Sequence, residues 1–117
     1  MTQLDGDLLL VLSTAASREE GLGIGRRLVE ERLAACVNVL PAARSVFVWK
    51  GELQEADEAL LVIKTRRDRY ADLERRIQAL HSYSVPEILA VPITSGSPDY
   101  VAWVLESASP GGGEGQP

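Results

Sequence analysis

The sequence predicts a single α+β domain in which strands and helices follow the order β-α-β-β-α-β, with a third helix behind them. Three observations predict it. Apolar runs too short for helices recur along the chain, capping signatures precede the helical segments, and a Lys50-Gly51 pair divides two long strand-like stretches.

The run "LLLVL" at 8–12 is short and unbroken, the pattern of a buried strand. Ser17 stands three residues before Glu20, the spacing of a capping box, so a helix is expected from Arg18 to about Arg32. "AACVNVL" is β-branched and apolar and is expected to end at Pro41. "RSVFVWKGEL" is a second strand entering a tight turn at Lys50-Gly51, where Gly51 can take positive φ. The return strand passes through an exposed "QEADE" into "ALLVIKT". Thr65 and Asp68 repeat the capping spacing, and Tyr70, Leu73, Ile77 and Leu80 then share one helical face. Pro86 opens the strand "EILAVPI". In "SPDYVAWVLES", Ser97 reads as N-cap, Pro98 as first helical residue and Asp99 as first-turn acid. This is the ferredoxin-like order, with an antiparallel sheet. No repeat or linker divides residues 1–107, so they form one domain; the Gly-rich tail, 108–117, is expected to be disordered.

Composition narrows the function classes. With 45% apolar and 25% charged residues, the 117-residue chain is an ordinary globular one. A net charge of −5 argues against a nucleic-acid binder, whose affinity comes from Lys and Arg on phosphates. Arg66, Arg67 and Arg69 read as a solvated face at a helix start. The single cysteine, Cys36, cannot form an intrachain disulfide, which fits a reducing cytoplasm. No apolar stretch approaches the ~20 residues of a membrane span, and the N-terminus lacks a signal-peptide pattern, so a soluble cytoplasmic protein is expected.

The segment "GLGIG" raises the question of a phosphate loop. A dinucleotide fingerprint fails because Arg26 occupies its third glycine position, and no Gly-Lys-Ser or Gly-Lys-Thr exists. The capping box also starts the helix before the glycines. They are read as interrupting a helix: Gly25 on the stripe of Leu22, Val29 and Leu33, where it permits close approach, and Gly23 on the opposite face.

A ferredoxin-like sheet carries helices on one face and should alternate apolar and polar residues, yet "LLLVL", "ALLVI" and "EILAV" are apolar on both sides. Self-association would cover the second face, and Trp49 and Phe47 on the hairpin are interface-type residues.

Residues for chemistry are few. A transition-metal site wants two or more soft or imidazole ligands converging, and the chain has one His and one Cys in different elements. Cys36 reads as a small buried hydrophobe. His81, just past a helix ending at Leu80, reads as a partner for that helix end, with metal contact as the alternative. Ser13, Ser82 and Ser84 have only His81 as a possible base, which does not make an enzyme. Glu52, Glu55, Asp57 and Glu58 read as a soluble strand edge that could hold hard cations loosely.

The segments "LVEERLAACVNVLP", "SVFVWKGEL", "LLVIKTRRD", "LHSYSVPEILAVPI" and "SPDYVAWV" resemble the CutA family of divalent-cation tolerance proteins over about residues 8–107. The resemblance implies a homotrimer of ferredoxin-like subunits whose long hairpins reinforce neighbouring subunits. It implies a role in tolerance of copper and other divalent cations, with no catalytic activity. Of the family's proposed ligands, a cysteine position is taken here by Ser13, and His81 carries over, with Glu87 as a nearby oxygen donor. Weak binding of Cu²⁺ or another divalent cation would follow. Tyr83 would line an intersubunit cleft, with Trp49 and Phe47 at the interface. The alternative is a PII-like signalling or scaffold trimer with a small-ligand site in that cleft. Neither reading calls for a nucleic-acid or membrane partner.

Overall fold

The computed structural model describes residues 2–4 and 6–111. A four-stranded antiparallel sheet is built from β2 (Leu8–Ala15), β3 (Cys36–Trp49), β4 (Glu52–Arg66) and β5 (Ile88–Pro92), in the order β3-β4-β2-β5. Helices α1 (Arg18–Glu30) and α2 (Tyr70–Leu80) supply the two crossovers, which gives the ferredoxin-like topology, and α3 (Pro98–Ser107) follows. Two short strands, β1 (Thr2–Gln3) and β6 (Ser95–Gly96), pair with each other and carried no signal in the sequence.

The period of two in the strands divides the core. Leu9, Val11 and Ala15 of β2, with Leu61 and Ile63 of β4, face Ile24 and Leu28 of α1 and Leu73 and Ile77 of α2. Residues of the other parity face away, and α3 covers only one end of them, packing Val101, Val104 and Ala108 on Leu8 and Ala35.

Helix α1 starts as expected: the Glu20 N–H donates to Ser17 Oγ at 3.0 Å, and the Ala16 N–H donates to Glu20 Oε1 at 3.1 Å. It ends at Glu30, two residues before the expected Arg32. Arg32 takes φ 60°, and its guanidinium donates to the carbonyls of Glu106 and Ser109 at the end of α3. The glycines do interrupt a helix, with Gly25 on the buried side and Gly23 opposite, but Leu22 and Val29 do not share the buried stripe as expected. A Cβ at Gly25 would lie 3.1 Å from Val37 Cγ1, and one at Gly21 would lie 3.1 Å from Val39 Cγ1, whereas one at Gly23 meets nothing within 4 Å. The buried stripe is therefore Gly21, Ile24, Gly25 and Leu28, and Val29 is half-exposed. Gly23→Ala is expected to stabilise the fold by roughly 0.5–1 kcal/mol, because only the backbone entropy of glycine is removed. Gly25→Ala should lose stability, since Val37 must shift. Chemical denaturation of the two variants checks both signs.

Several boundaries differ from expectation. Pro41 does not end a strand: β3 continues to Trp49, and its register with β4 shifts between Leu40 and Ala43, where a residue without an N–H is tolerated in the irregularity. Thr65 is not a cap. It is a fully buried strand residue whose hydroxyl donates to the Leu33 carbonyl at 2.6 Å. A 3₁₀ turn, Arg67–Arg69, leads into α2 without a side-chain cap, and Ser97 makes none for α3 although Pro98 does open that helix. The arginine cluster is a set of ties rather than a solvated face: Arg66 binds Asp68 and the Leu105 carbonyl, Arg67 the Gly6 carbonyl, and Arg69 the Arg32 carbonyl. Packing also passes residue 107, for Ala108 is fully buried and bonded to Val104. Residues 112–117 of the expected tail lie outside the described residues.

The hairpin turns at Lys50 and Gly51, both at positive φ (53° and 82°), the geometry of a type I′ turn. Because β2 pairs with β4 only from Ala59 onward, the hairpin beyond it is a two-stranded arm.

Candidate functional site

Where β2 ends, the first turn of α1 and the α2–β5 connection meet the base of the arm formed by β3 and β4. His81 is the first residue past α2, and its side chain has no exposure. Its Nε2 lies 2.6 Å from the Thr14 carbonyl oxygen, and its Nδ1 lies 3.0 Å from the Tyr83 amide nitrogen. Glu20 stands beside it, with Oε2 3.7 Å from Nδ1 and accepting the Ser82 N–H at 2.8 Å. Burial raises the pKa of this carboxyl, and hydrogen bonds from the backbone and side chain of Ser82 and from the Ala16 N–H act against that, leaving it below the ordinary glutamate range.

Tyr83 stacks at a tilt on His81, with ring centroids 4.7 Å apart, and its hydroxyl donates to Glu58 Oε2 at 2.7 Å. Ser45 on β3 donates to the other oxygen, Glu58 Oε1, at 2.5 Å. Glu58 is thus a nearly buried carboxylate satisfied by two hydroxyls, not part of an exposed acidic edge. Burial, then the bond to Glu58, push the Tyr83 phenol up to about 12. A raised folded-state pKa means the neutral phenol is favoured by folding. That contribution is whole below the ordinary tyrosine value and is lost as pH rises through about 12. Alkaline difference titration should show one tyrosine ionising late in the wild type and absent in Tyr83→Phe; three tyrosines ionising together would contradict this geometry.

The remaining expected residues fall elsewhere. The Ser13 hydroxyl donates to the Glu87 carbonyl at 2.6 Å, so these two are neighbours through hydroxyl and backbone, and the Glu87 residue is exposed. The carboxylate beside His81 belongs to Glu20, not to Glu87. Phe47 and Trp49 are 42% and 53% exposed on the arm, with Val46, Val48 and Leu53 more so. Cys36 is half-buried on the sheet face away from α1 and α2, with Sγ 4.0 Å from Lys64 Nζ. No group of three or more His, Cys, Asp or Glu side chains that could hold a metal occurs among the described residues. The single-chain geometry therefore does not fit a preformed metal centre at His81: neither ring nitrogen is free.

Sequence reasoning missed Glu58, Ser45 and Glu20 as members of this junction. Only Glu20 had a local signal, its place in the capping box; the pairing of Glu58 with Tyr83 spans 25 residues and has none.

The second feature is the sheet face opposite α1 and α2. By register it carries Leu10 and Leu12 of β2, Leu60 and Val62 of β4, Leu40 of β3, and Leu89 and Val91 of β5. Leu40, Leu89 and Val91 are 47%, 60% and 49% exposed, so α3 leaves apolar surface open on this face, which also carries the polar pair Asn38 and Lys64.

Comparison with known proteins gives one consistent picture. Residues 9–107 match the family model described as "CutA1 divalent ion tolerance protein". The Divalent-cation tolerance protein CutA of Thermus thermophilus is 46% identical over 98 residues, covering 84% of this chain and 95% of the relative. Its solved structure superposes with a TM-score of 0.84 over 86% of this chain and 97% of that one, at 45% identity. The chloroplastic Protein CutA of Arabidopsis thaliana is 42% identical, covering 85% of this chain and 54% of the relative. A structure titled as the periplasmic divalent cation tolerance protein CutA from Archaeoglobus fulgidus has a TM-score of 0.85 at 36% identity, covering 87% of this chain and 99% of that one.

Proposed function

The chain belongs to the CutA1 divalent ion tolerance family, and from that premise we propose that it serves divalent-cation tolerance as a homotrimer, without catalytic activity. The observation that carries the assembly is the open apolar face together with the unsupported arm. A one-layer antiparallel sheet with a wet face should be polar there, and an isolated two-stranded ribbon is marginal in water. Copies that cover one another's open faces and brace one another's arms remove both costs, at roughly 25 cal/mol for each Å² of apolar surface withdrawn from water.

In this reading Cu²⁺ or another divalent cation is a weakly held ligand of the assembled protein. Weakness follows from the donor chemistry, since no described cluster of three metal-binding side chains is at hand. A cytoplasmic location belongs to the same proposal and is supported by the single, unpaired Cys36. No helix among the described residues is long and apolar enough to cross a membrane. The test is growth of cells lacking their own family member in medium loaded with Cu²⁺, combined with calorimetric titration of the pure protein. Restored growth with affinity no tighter than micromolar is expected; failure to restore growth overturns the function, and nanomolar affinity overturns the weak site.

A further inference from the structure

We infer that His81 is a positioning residue that locks Tyr83 onto the base of the arm, and that it is withheld from metal. The bonding pattern assigns its tautomer. A carbonyl oxygen has no hydrogen to give, so Nε2, 2.6 Å from the Thr14 oxygen, carries the ring proton. The Tyr83 amide can only donate, so Nδ1, 3.0 Å away, carries the lone pair. The ring is a neutral imidazole with both nitrogens satisfied, inside a side chain without exposure.

A metal takes a lone pair, and the only one on this ring points at an amide hydrogen. A cation there would strip the Tyr83 N–H of its acceptor. It would meet Glu20, whose oxygens already accept from Ala16 and Ser82. What the lock gains is a path of hydrogen bonds: from Thr14 at the end of β2 through His81 to the Tyr83 backbone, and from the Tyr83 hydroxyl through Glu58 to Ser45 on the arm. The segment so anchored leads directly into the edge strand β5.

The bond from Tyr83 N–H to a side chain two residues earlier is one that asparagine reproduces as an Asx turn and leucine cannot. His81→Asn should therefore keep the slow amide exchange of Tyr83, while His81→Leu should speed it by roughly tenfold or more, the scale of one lost hydrogen bond. Both variants should keep wild-type affinity for Cu²⁺. A measurement on the unaltered protein needs no variant to fold: long-range proton–nitrogen NMR of the ring should report the Nε2–H tautomer, and stoichiometric Cu²⁺ should leave the His81 ring signals sharp. Broadening of those signals ahead of all others, loss of Cu²⁺ affinity in both variants, or Tyr83 exchange unchanged in His81→Leu would overturn the inference.

Discussion

Leu61→Ala is expected to cost about 2–5 kcal/mol of stability, the range for removing a large aliphatic side chain from a packed core. Leu61 is fully buried on β4, between the sheet and both crossover helices. It is also one of the side chains that approach Gly21, so the space left by the truncation lies where α1 is already held close to the sheet. Little relaxation can fill it, which places the cost toward the upper part of that range. Urea denaturation measures it. A cost under about 1 kcal/mol would mean that this face of the sheet is not the main core, and the division of the strands into two faces would be wrong.

That division was legible in the sequence, because strands that are apolar at both parities announce two covered faces without naming the cover. Helix α1 was legible for a local reason, since Ser17 and Glu20 carry the whole signal within four residues. Thr65 shows where such signals mislead: a threonine three residues before an acid looks like a cap, but its hydroxyl answers Leu33, 32 residues away. Pro41 misled for the opposite reason. Its missing N–H forbids regular pairing, and the shifted register between Leu40 and Ala43 absorbs it without ending β3.

The junction was harder to read. His81 could be weighed between helix end and metal ligand, but its state depends on a carbonyl 67 residues earlier. Glu58 sat in an acidic run, and what separates it from Glu55 and Asp57 is the pair of hydroxyls that reach it in three dimensions. Arg44 binds those two neighbours through Glu55 Oε1 and Asp57 Oδ1, and Glu58 takes Ser45 and Tyr83 instead. The acidic patch is two environments, one solvated and one closed.

Leu89→Asp, on the sheet face opposite Leu61, is expected to do something different in kind. Leu89 faces the open side of the sheet on β5, paired with Leu12 and 60% exposed, so an aspartate there reaches water in the folded monomer. In the proposed homotrimer the same carboxylate would be buried at an apolar contact, and an unpaired buried charge is far more costly than the contact is favourable. The variant should therefore stay folded and lose assembly, with its circular dichroism unchanged and its mass reduced to that of one chain.

Light scattering behind a sizing column measures that mass and tests the central claim most directly. For the wild type the proposal predicts about three times the chain mass of 12.7 kDa, persisting on dilution to micromolar concentration. A stable wild-type monomer at that concentration would contradict it.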